Sequence, residues 1–514
     1  MIQSVLAPAD ASFDPHTGVE RGSVPHTAPA DVEAMLALAV QAAPVLAETR
    51  PAARLEWLSA VADAILDHQE ELAALAEEET GLGLPRLRGE LVGAARSMLF
   101  YAHVAVEGSY LSASSDLVSD SISLTRWNIP VGPVAVFGAS NFPFGFGVVG
   151  HDVSSALAAG CPVIVKAHPA HPRLSVRLAG VVREALLDAG APPGIYDSVV
   201  GFDAGLQLVD SPEVKAVAFT GSQRGGMALR ARAATRGVPV FAEMGTVNPA
   251  FVTAAAVRQA AGTDRIAEGF VSSFTLGAGQ FCTKPGVLFA PAGCGMFDAI
   301  AALVSRVTAA PLLTAQIASG FAAGVAELVA AAGDPAQPSV ATGAGYSVPA
   351  HVVRVAVADL SPGSRLLEEC FGPVALVCEY DDSAAALAAL TGLQGSLAAS
   401  VFTGGPADLD APAVIARLLP NVGRVAVDAW PTGVANTWSQ QHGGPWPATS
   451  RPDATSVGAG ALGRFVRPVA LQNPHSRMLP DLLSPGNPWQ IPRRIDGILT
   501  LPDLSPPPVS KEPS

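Results

Sequence analysis

Between residues 131 and 260 short apolar runs alternate with alanine-rich stretches, and that rhythm restricts the chain to few folds. The runs are VAVFGA at 134–139, CPVIVKA at 161–167, SVV at 198–200 and KAVAFTG at 215–221. Each is too short for a helix and apolar almost throughout, as a strand buried on both faces must be. The stretches between them carry helical spacing. Strand and helix in strict alternation predict an α/β fold with a parallel sheet covered by helices. A second strand–helix texture runs from about residue 247 to 440.

Upstream, residues 31–80 read as helices. Asp31 is the expected N-cap of DVEAMLALAVQAAPVLAE, and Pro51 suits the first turn of the next helix. Leu55, Leu58, Ala62, Ile65 and Leu66 recur at helical spacing, and Gly81 closes the pattern. Near 118–130 the texture changes to SDSISLTRWNIP, which alternates like a solvent-facing strand and stops at Pro130.

Composition narrows the function classes. Of 514 residues 49% are hydrophobic and 15% charged, against about 25% charged in an average domain, so much surface is expected to be buried, a subunit interface included. The net charge is −14 and no basic block occurs, which argues against a nucleic-acid partner. No uninterrupted apolar run reaches the ~18 residues of a membrane span, and the N-terminus lacks the features of a signal peptide. Five cysteines (Cys161, Cys282, Cys294, Cys370 and Cys378) form neither a disulfide framework nor a zinc pattern, so a reducing, cytoplasmic setting and no metal are expected.

Three places carry candidate chemistry. Gly145 to Gly150 matches GxGxxG, but the region about 20 residues on reads VKAHPAHPR and has no acid for a ribose hydroxyl, so a glycine-rich helix start is the better reading. Gly221-Ser222-Gln-Arg-Gly-Gly226 follows a strand and permits a sharp turn into a helix whose N-terminus faces a phosphate, or a plain turn. Cys282 lies in FTLGAGQFCTKPG, an exposed-loop composition, whereas Cys161 and Cys378 sit in apolar runs as inert core thiols. Glu243 ends an apolar strand, as a solvated strand end or a buried general base.

Taken in order, Pro130-Val-Gly-Pro133, Asn141-Phe-Pro143, Lys166, Phe219-Thr-Gly-Ser222, Glu243, Gly279-Gln-Phe-Cys282-Thr283 and Glu369-Cys-Phe-Gly-Pro373 make the chain resemble the aldehyde dehydrogenase superfamily over nearly its whole length. GASNFP at 138–143, KAHPAHP at 166–172, AEMGTVNP at 242–249 and HGGPWPATS at 442–450 are most similar to its NADP-using 2-ketoglutarate semialdehyde (2,5-dioxovalerate) dehydrogenases and related fatty aldehyde dehydrogenases.

The resemblance implies Cys282 as nucleophile, Asn141 with the Cys282 N–H as oxyanion donors, and Glu243 as the base that activates water. It further implies that Lys166 and Glu369 hold the two riboses, that Phe371 packs near the nicotinamide ribose, and that Gly221, Ser222 and Gly226 shape the pyrophosphate site. NAD-preferring relatives carry a glutamate three residues after the lysine; Pro169 stands there, and Lys166 with His168 would favour a 2′-phosphate. NADP is therefore expected, with NAD as the alternative. His168 and His171 read equally well as exposed loop histidines.

An acidic aldehyde needs a cation for its far carboxylate. Gly93 and Leu99 stand where the related enzymes carry arginines, which leaves Arg96, or Lys284, itself expected at the surface. Their absence favours a neutral or fatty aldehyde as the alternative substrate. A cofactor-independent thiol esterase and an idle scaffold are the readings of another class.

The expected organisation is an aldehyde dehydrogenase fold. A Rossmann-like cofactor domain would take residues 1–117 and 131–246 with 442–480 packing back on it, and an α/β catalytic domain 247–441. A β oligomerisation arm would take 118–130 and 485–502, and a disordered tail 503–514. An arm buries its edge against another subunit, so a homodimer or homotetramer is expected.

Overall fold

A hairpin of β1 (Ala9–Phe13) and β2 (Glu20–Pro25) precedes four helices, α1 (Pro29–Glu48), α2 (Pro51–Asp67), α3 (Gln69–Thr80) and α4 (Leu84–Glu107). The computed structural model describes residues 8–340, 343–361 and 363–502, and the tail at 503–514 lies outside them. Proline opens α1 and α2, where its missing N–H is one that no helix bond uses. For that reason α1 begins at Pro29 behind Ala28, and Asp31 is not the cap expected from the sequence. It stands in the first turn, where a carboxylate still favours the positive helix end. Gly81 stops α3 in the left-handed conformation, φ 59°.

β3 (Ser114–Ser119) and β4 (Ile122–Pro130) lead into the alternating region. There follow β5 (Val134–Phe137), α5 (His151–Ala159), β6 (Val163–Lys166), α6 (Pro172–Asp188) and β7 (Tyr196–Val199). Then come α7 (Phe202–Asp210), β8 (Ala216–Gly221), α8 (Gln223–Ala234) and β9 (Val240–Met244). The four apolar runs thus become β5 to β8, and with β9 they form one parallel sheet in the order β7-β6-β5-β8-β9. Val134 and Val136 pack into the core under α2, α4 and α5, while Ala135 and Phe137 pack into the core on the opposite face. Such a sheet is buried on both sides, which is why its strands read as continuous apolar runs. The order turns at β5, so α5 and α8 diverge and leave a crevice at the C-terminal ends of β5 and β8.

A second sheet has seven strands in the order Asp334–Pro335, His351–Val355, Val374–Tyr380, Val287–Pro291, Pro249–Val252, Ser396–Phe402 and Val422–Val427, parallel except at the 334–335 edge. The third sheet runs Val466–Gln472, β4, β3, Arg493–Ile495, Ile498–Thr500. Residues 466–472 pair antiparallel with β4 from Val466↔Pro130 to Gln472↔Leu124. The boundary expected at 480 therefore moves to 465: Ala461, Leu462 and Phe465 pack into the first core, but 466–472 belong to the arm. Without them the whole length of β4 would be an open edge.

Two helices, α1 and Ala315–Ala332, are long and apolar enough by composition to cross a membrane, although interrupted by polar residues. In this fold α1 packs on α7, β6 and β7, and 315–332 packs on His351–Val355.

The returning segment is pinned by a buried ion pair. Arg464 Nη1 donates to Asp152 on α5 at 2.6 Å, and Nη2 to Ser155 Oγ at 3.1 Å. Arg464→Met strands the Asp152 carboxylate and is expected to lower stability by about 3–5 kcal/mol, read as a lower denaturation midpoint; adding Asp152→Asn is expected to recover part of the loss.

Candidate active site

A cleft of about 890 Å³ opens at the crevice and is walled on its other side by the second sheet and its helices. Its floor has been stripped of side chains. A Cβ on Gly221 or Gly225 would press on the Phe219 ring, and one on Gly245 would run into the Glu369 carboxylate. Ser222 caps α8 by accepting from the Gly225 N–H at 3.2 Å, so the helix presents its positive end to the cleft. Room, bare backbone and a helix N-terminus fit the phosphates and riboses of a dinucleotide.

Asn141, His168, Gly221, Ser222, Glu243, Cys282, Glu369 and Phe371 all line this cleft. Lys166 and Gly226 stand behind the lining. The Lys166 stem lies where a Cβ on Gly205 would meet it, and Gly226 lets α8 pack closely on Met244 of β9. His168 accepts from the Ala170 N–H at 3.1 Å; burial, then His171 and Lys166, hold its pKa well below the usual range, so the ring is neutral. His171 is not an exposed loop histidine: it is buried, bonds Ser175 and the Ala139 carbonyl, and is pushed down to about 4 by burial.

Cys282 sits on a turn that only small residues allow. Gly277, Ala278 and Gly279 have φ of 55°, 56° and 68°, and a Cβ on Gly279 would collide with the Gly372 carbonyl. The turn is fixed by Asn248, whose Nδ2 donates to the Cys282 carbonyl at 2.7 Å. Asn141 Nδ2 donates to the Gln280 carbonyl at 2.8 Å, which orients the amide and leaves its second N–H free.

The residue that joins these groups is His442. Its Nε2 lies 3.6 Å from Cys282 Sγ and its Nδ1 3.1 Å from Glu243 Oε2, forming a buried Cys–His–Glu chain. Burial opposes charge on the ring, but the hydrogen bonds to Cys282 and Glu243 outweigh it and raise the pKa to about 10. Burial raises the Glu243 pKa, and His442 pulls it partly back. HGGPWPATS drew notice only as a motif, because no spacing links residues 160 and 199 positions apart.

Lys284 is neither a surface lysine nor a cation facing substrate. It is buried, and Nζ donates to the carbonyls of Cys370, Gly372 and Val374 at 3.0, 3.0 and 2.7 Å, tying the nucleophile turn to the loop bearing Glu369 and Phe371. Burial pushes Glu369 up to about 7, with Lys284 opposing. Arg96 points from α4 into solvent. Gly145, Gly147 and Gly150 serve close backbone packing at the start of α5, where any Cβ on Gly147 or Gly150 would strike a carbonyl.

A doubly wound sheet with a dinucleotide-shaped cleft and a half-buried thiol at its end defines the class, an α/β oxidoreductase. The chain belongs to the aldehyde dehydrogenase family, whose model matches residues 7–445. It is 40% identical over 513 residues to alpha-ketoglutaric semialdehyde dehydrogenase 2 of Azospirillum brasilense, covering 95% of each chain. It is 36% identical to alpha-ketoglutaric semialdehyde dehydrogenase of Acinetobacter baylyi, covering 87% of each. An NAD-dependent aldehyde dehydrogenase from Sinorhizobium meliloti superposes with a TM-score of 0.78 at 25% identity, over 90% of this chain and 91% of that one.

Because the His442 pKa is raised, its proton is held until the pH passes about 10. The His442 imidazolium should then persist through neutral pH. His442→Gln removes the partner that Nε2 and Nδ1 offer to Cys282 Sγ and Glu243 Oε2, and is expected to slow iodoacetamide alkylation of Cys282 at neutral pH.

Proposed function

We propose that this enzyme oxidises an aldehyde to a carboxylic acid through a Cys282 thiohemiacetal and thioester, with NADP preferred and 2-ketoglutarate semialdehyde (2,5-dioxopentanoate) as substrate. The observation that carries the chemistry is the Cys282–His442–Glu243 chain beside the Asn141 amide at the end of the cleft.

Cys282 Sγ, held against His442 Nε2, attacks the carbonyl carbon to form the thiohemiacetal. The free N–H of Asn141 and the backbone N–H of Cys282 donate to the oxyanion as it forms. When bound, the dinucleotide would supply the two-electron oxidation, its nicotinamide ribose held by Glu369 and Phe371 and its pyrophosphate by Gly221 and Ser222. Glu243 then draws a proton from the water that attacks the thioester, a role its raised pKa suits. Arg464 and Asp152, both buried, act at longer range on Glu243 with opposite signs.

NADP preference rests on position 169. Proline offers no carboxylate to repel a 2′-phosphate, and a dianion there would favour protonation of His168, which burial otherwise keeps neutral. Lys166, lowered by burial, would likewise be favoured in its charged form.

The substrate rests on the two relatives named for alpha-ketoglutaric semialdehyde and on one cation. With Arg96 in solvent and Lys284 engaged, Arg424 takes the part of counter-ion. It lies on the strand Val422–Val427, holds the Pro431 and Gly433 carbonyls through Nη2, and is close enough to Cys282 for its charge to respond to the sulphur. The second reading, a neutral or fatty aldehyde, is favoured by the apolar character of Leu99 and by Phe100, which packs edge-on against Trp438 with centroids 6.4 Å apart. Esterase turnover fits the Cys–His–Glu chain as a side activity.

The third sheet leaves Leu117, Ile498 and Leu499 more than half exposed, a surface suited to a homodimer or a dimer of dimers. All five cysteines are free, which is compatible with the reducing setting of a cytoplasmic enzyme.

NADPH formation with 2-ketoglutarate semialdehyde, beside a neutral aldehyde of similar length, tests the substrate. The ketoacid is expected to win by kcat/KM, and Arg424→Gln to erase its advantage by about 10–100-fold while sparing the neutral aldehyde. Preference for the neutral aldehyde, or for NAD, would overturn that part of the reading. Cys282→Ala should abolish oxidation with NADP binding intact. Glu243→Gln should retain a burst of NADPH equal to the sites present and then turn over slowly, by about 10²-fold or more.

A further inference from the structure

We propose that Arg86 is a positioning residue that sets the Asn141 amide against the Cys282 sulphur, an inference that rests on the roles given to those two residues above. Arg86 lies in the first turn of α4, with Glu90 one turn further on the same helix. Both reach the turn that carries Asn141. Arg86 Nη2 donates to the Asn141 carbonyl at 2.6 Å. Glu90 Oε1 accepts from the N–H groups of Phe144 and Gly145, each at 2.9 Å. The turn from 141 to 145 is therefore held at both ends by one 24-residue helix.

The guanidinium also reaches the other half of the site. Its Cζ lies 5.1 Å from the Phe142 ring centroid and 4.9 Å from that of Phe281. Those rings meet edge to face with centroids 5.1 Å apart. Phe142 directly follows Asn141 and Phe281 directly precedes Cys282, so one side chain grips the neighbour of each reacting group. The two turns grow from different sheets, and the cleft runs between them. A Cβ on Gly277 would come 2.5 Å from Nη1, which shows how closely the start of the nucleophile turn is laid on this group.

Nη1 is buried there without a hydrogen-bond partner. A buried, unpaired N–H is unfavourable, and its presence points to the work of the rest of the side chain. A lysine would keep the charge but not the plane that lies against two rings, nor the fork that reaches the Asn141 carbonyl. Carbonyl and amide of Asn141 share one rigid residue, so a shift at the first moves the second. Misplacing a catalytic donor by about 1 Å lowers the rate on the order of 10²-fold.

The test is a double-mutant cycle of Arg86→Gln and Asn141→Ala, assayed with an acidic and a neutral aldehyde, NADP binding by fluorescence serving as the check of folding. Arg86→Gln is expected to lower kcat by about 10–100-fold on both aldehydes, with KM within about threefold of the parent. In the Asn141→Ala background the same change should cost less than about threefold, because the donor it positions is gone. Arg86→Lys should remain slow and is the variant to use if Arg86→Gln does not fold. An increase of KM confined to the acidic aldehyde would make Arg86 a substrate counter-ion and overturn the proposal. Equal losses in both backgrounds would overturn it too. A slow Asn141→Ala beside a fully active Arg86→Gln would remove this inference alone, whereas a fully active Asn141→Ala would remove the oxyanion role beneath it.

Discussion

The site depends on an imidazole that is buried and yet held in its charged form. Desolvation alone would leave His442 neutral, as it does His171. The difference is the partners: His171 meets a hydroxyl and a carbonyl, whereas His442 lies between a thiol and a carboxylate. That arrangement requires three remote stretches to converge, and the fold supplies the convergence by returning the chain from the second sheet to the first. There 448–450 runs beside β9: Met244 N–H donates to the Ala448 carbonyl, Glu243 bridges Thr449, and Ala242 N–H donates to Ser450 Oγ. The Thr455 hydroxyl receives the His442 N–H. Arg464, paired to Asp152, closes the segment on α5.

Much of this was legible in the residues, and what was not had a physical reason. The apolar runs at 134–139, 161–167, 198–200 and 215–221 announced a parallel sheet because burial on both faces leaves no polar alternation. Gly81 and Pro51 marked helix ends by their own backbone limits. The strand at 466–472 was hidden because VRPVALQ is exposed at most of its positions and has meaning only beside β4. His442 was hidden because a contact between distant residues leaves no local pattern. Lys284 was misplaced because a lysine that gives all three of its N–H groups to carbonyls looks, in sequence, like any other lysine.

The two sides of the cleft are built by opposite means. Toward the dinucleotide the wall is made by removal, since Gly221, Gly225 and Gly245 each stand where a Cβ would meet a ring or a carboxylate. Behind Asn141 and Cys282 it is backed by rings, with Phe142 in edge contact with Phe146 and Phe281 and Arg86 against Phe142 and Phe281. A bare wall suits a ligand recognised through its phosphates and sugars. A crowded aromatic one suits a small substrate whose orientation must be fixed before the sulphur attacks.

Lys284 makes one piece of the nucleophile turn and the wall that faces the glycines. Through three carbonyls it welds the nucleophile turn to the segment of Glu369 and Phe371, and Gly279 packs its backbone directly on Gly372. Cys282 and the proposed ribose contacts are thus one rigid piece. On the facing lip Ser222 caps α8 and Gln223 donates to the Gly245 carbonyl, so the glycine-lined wall is tied to the first sheet and the nucleophile to the second.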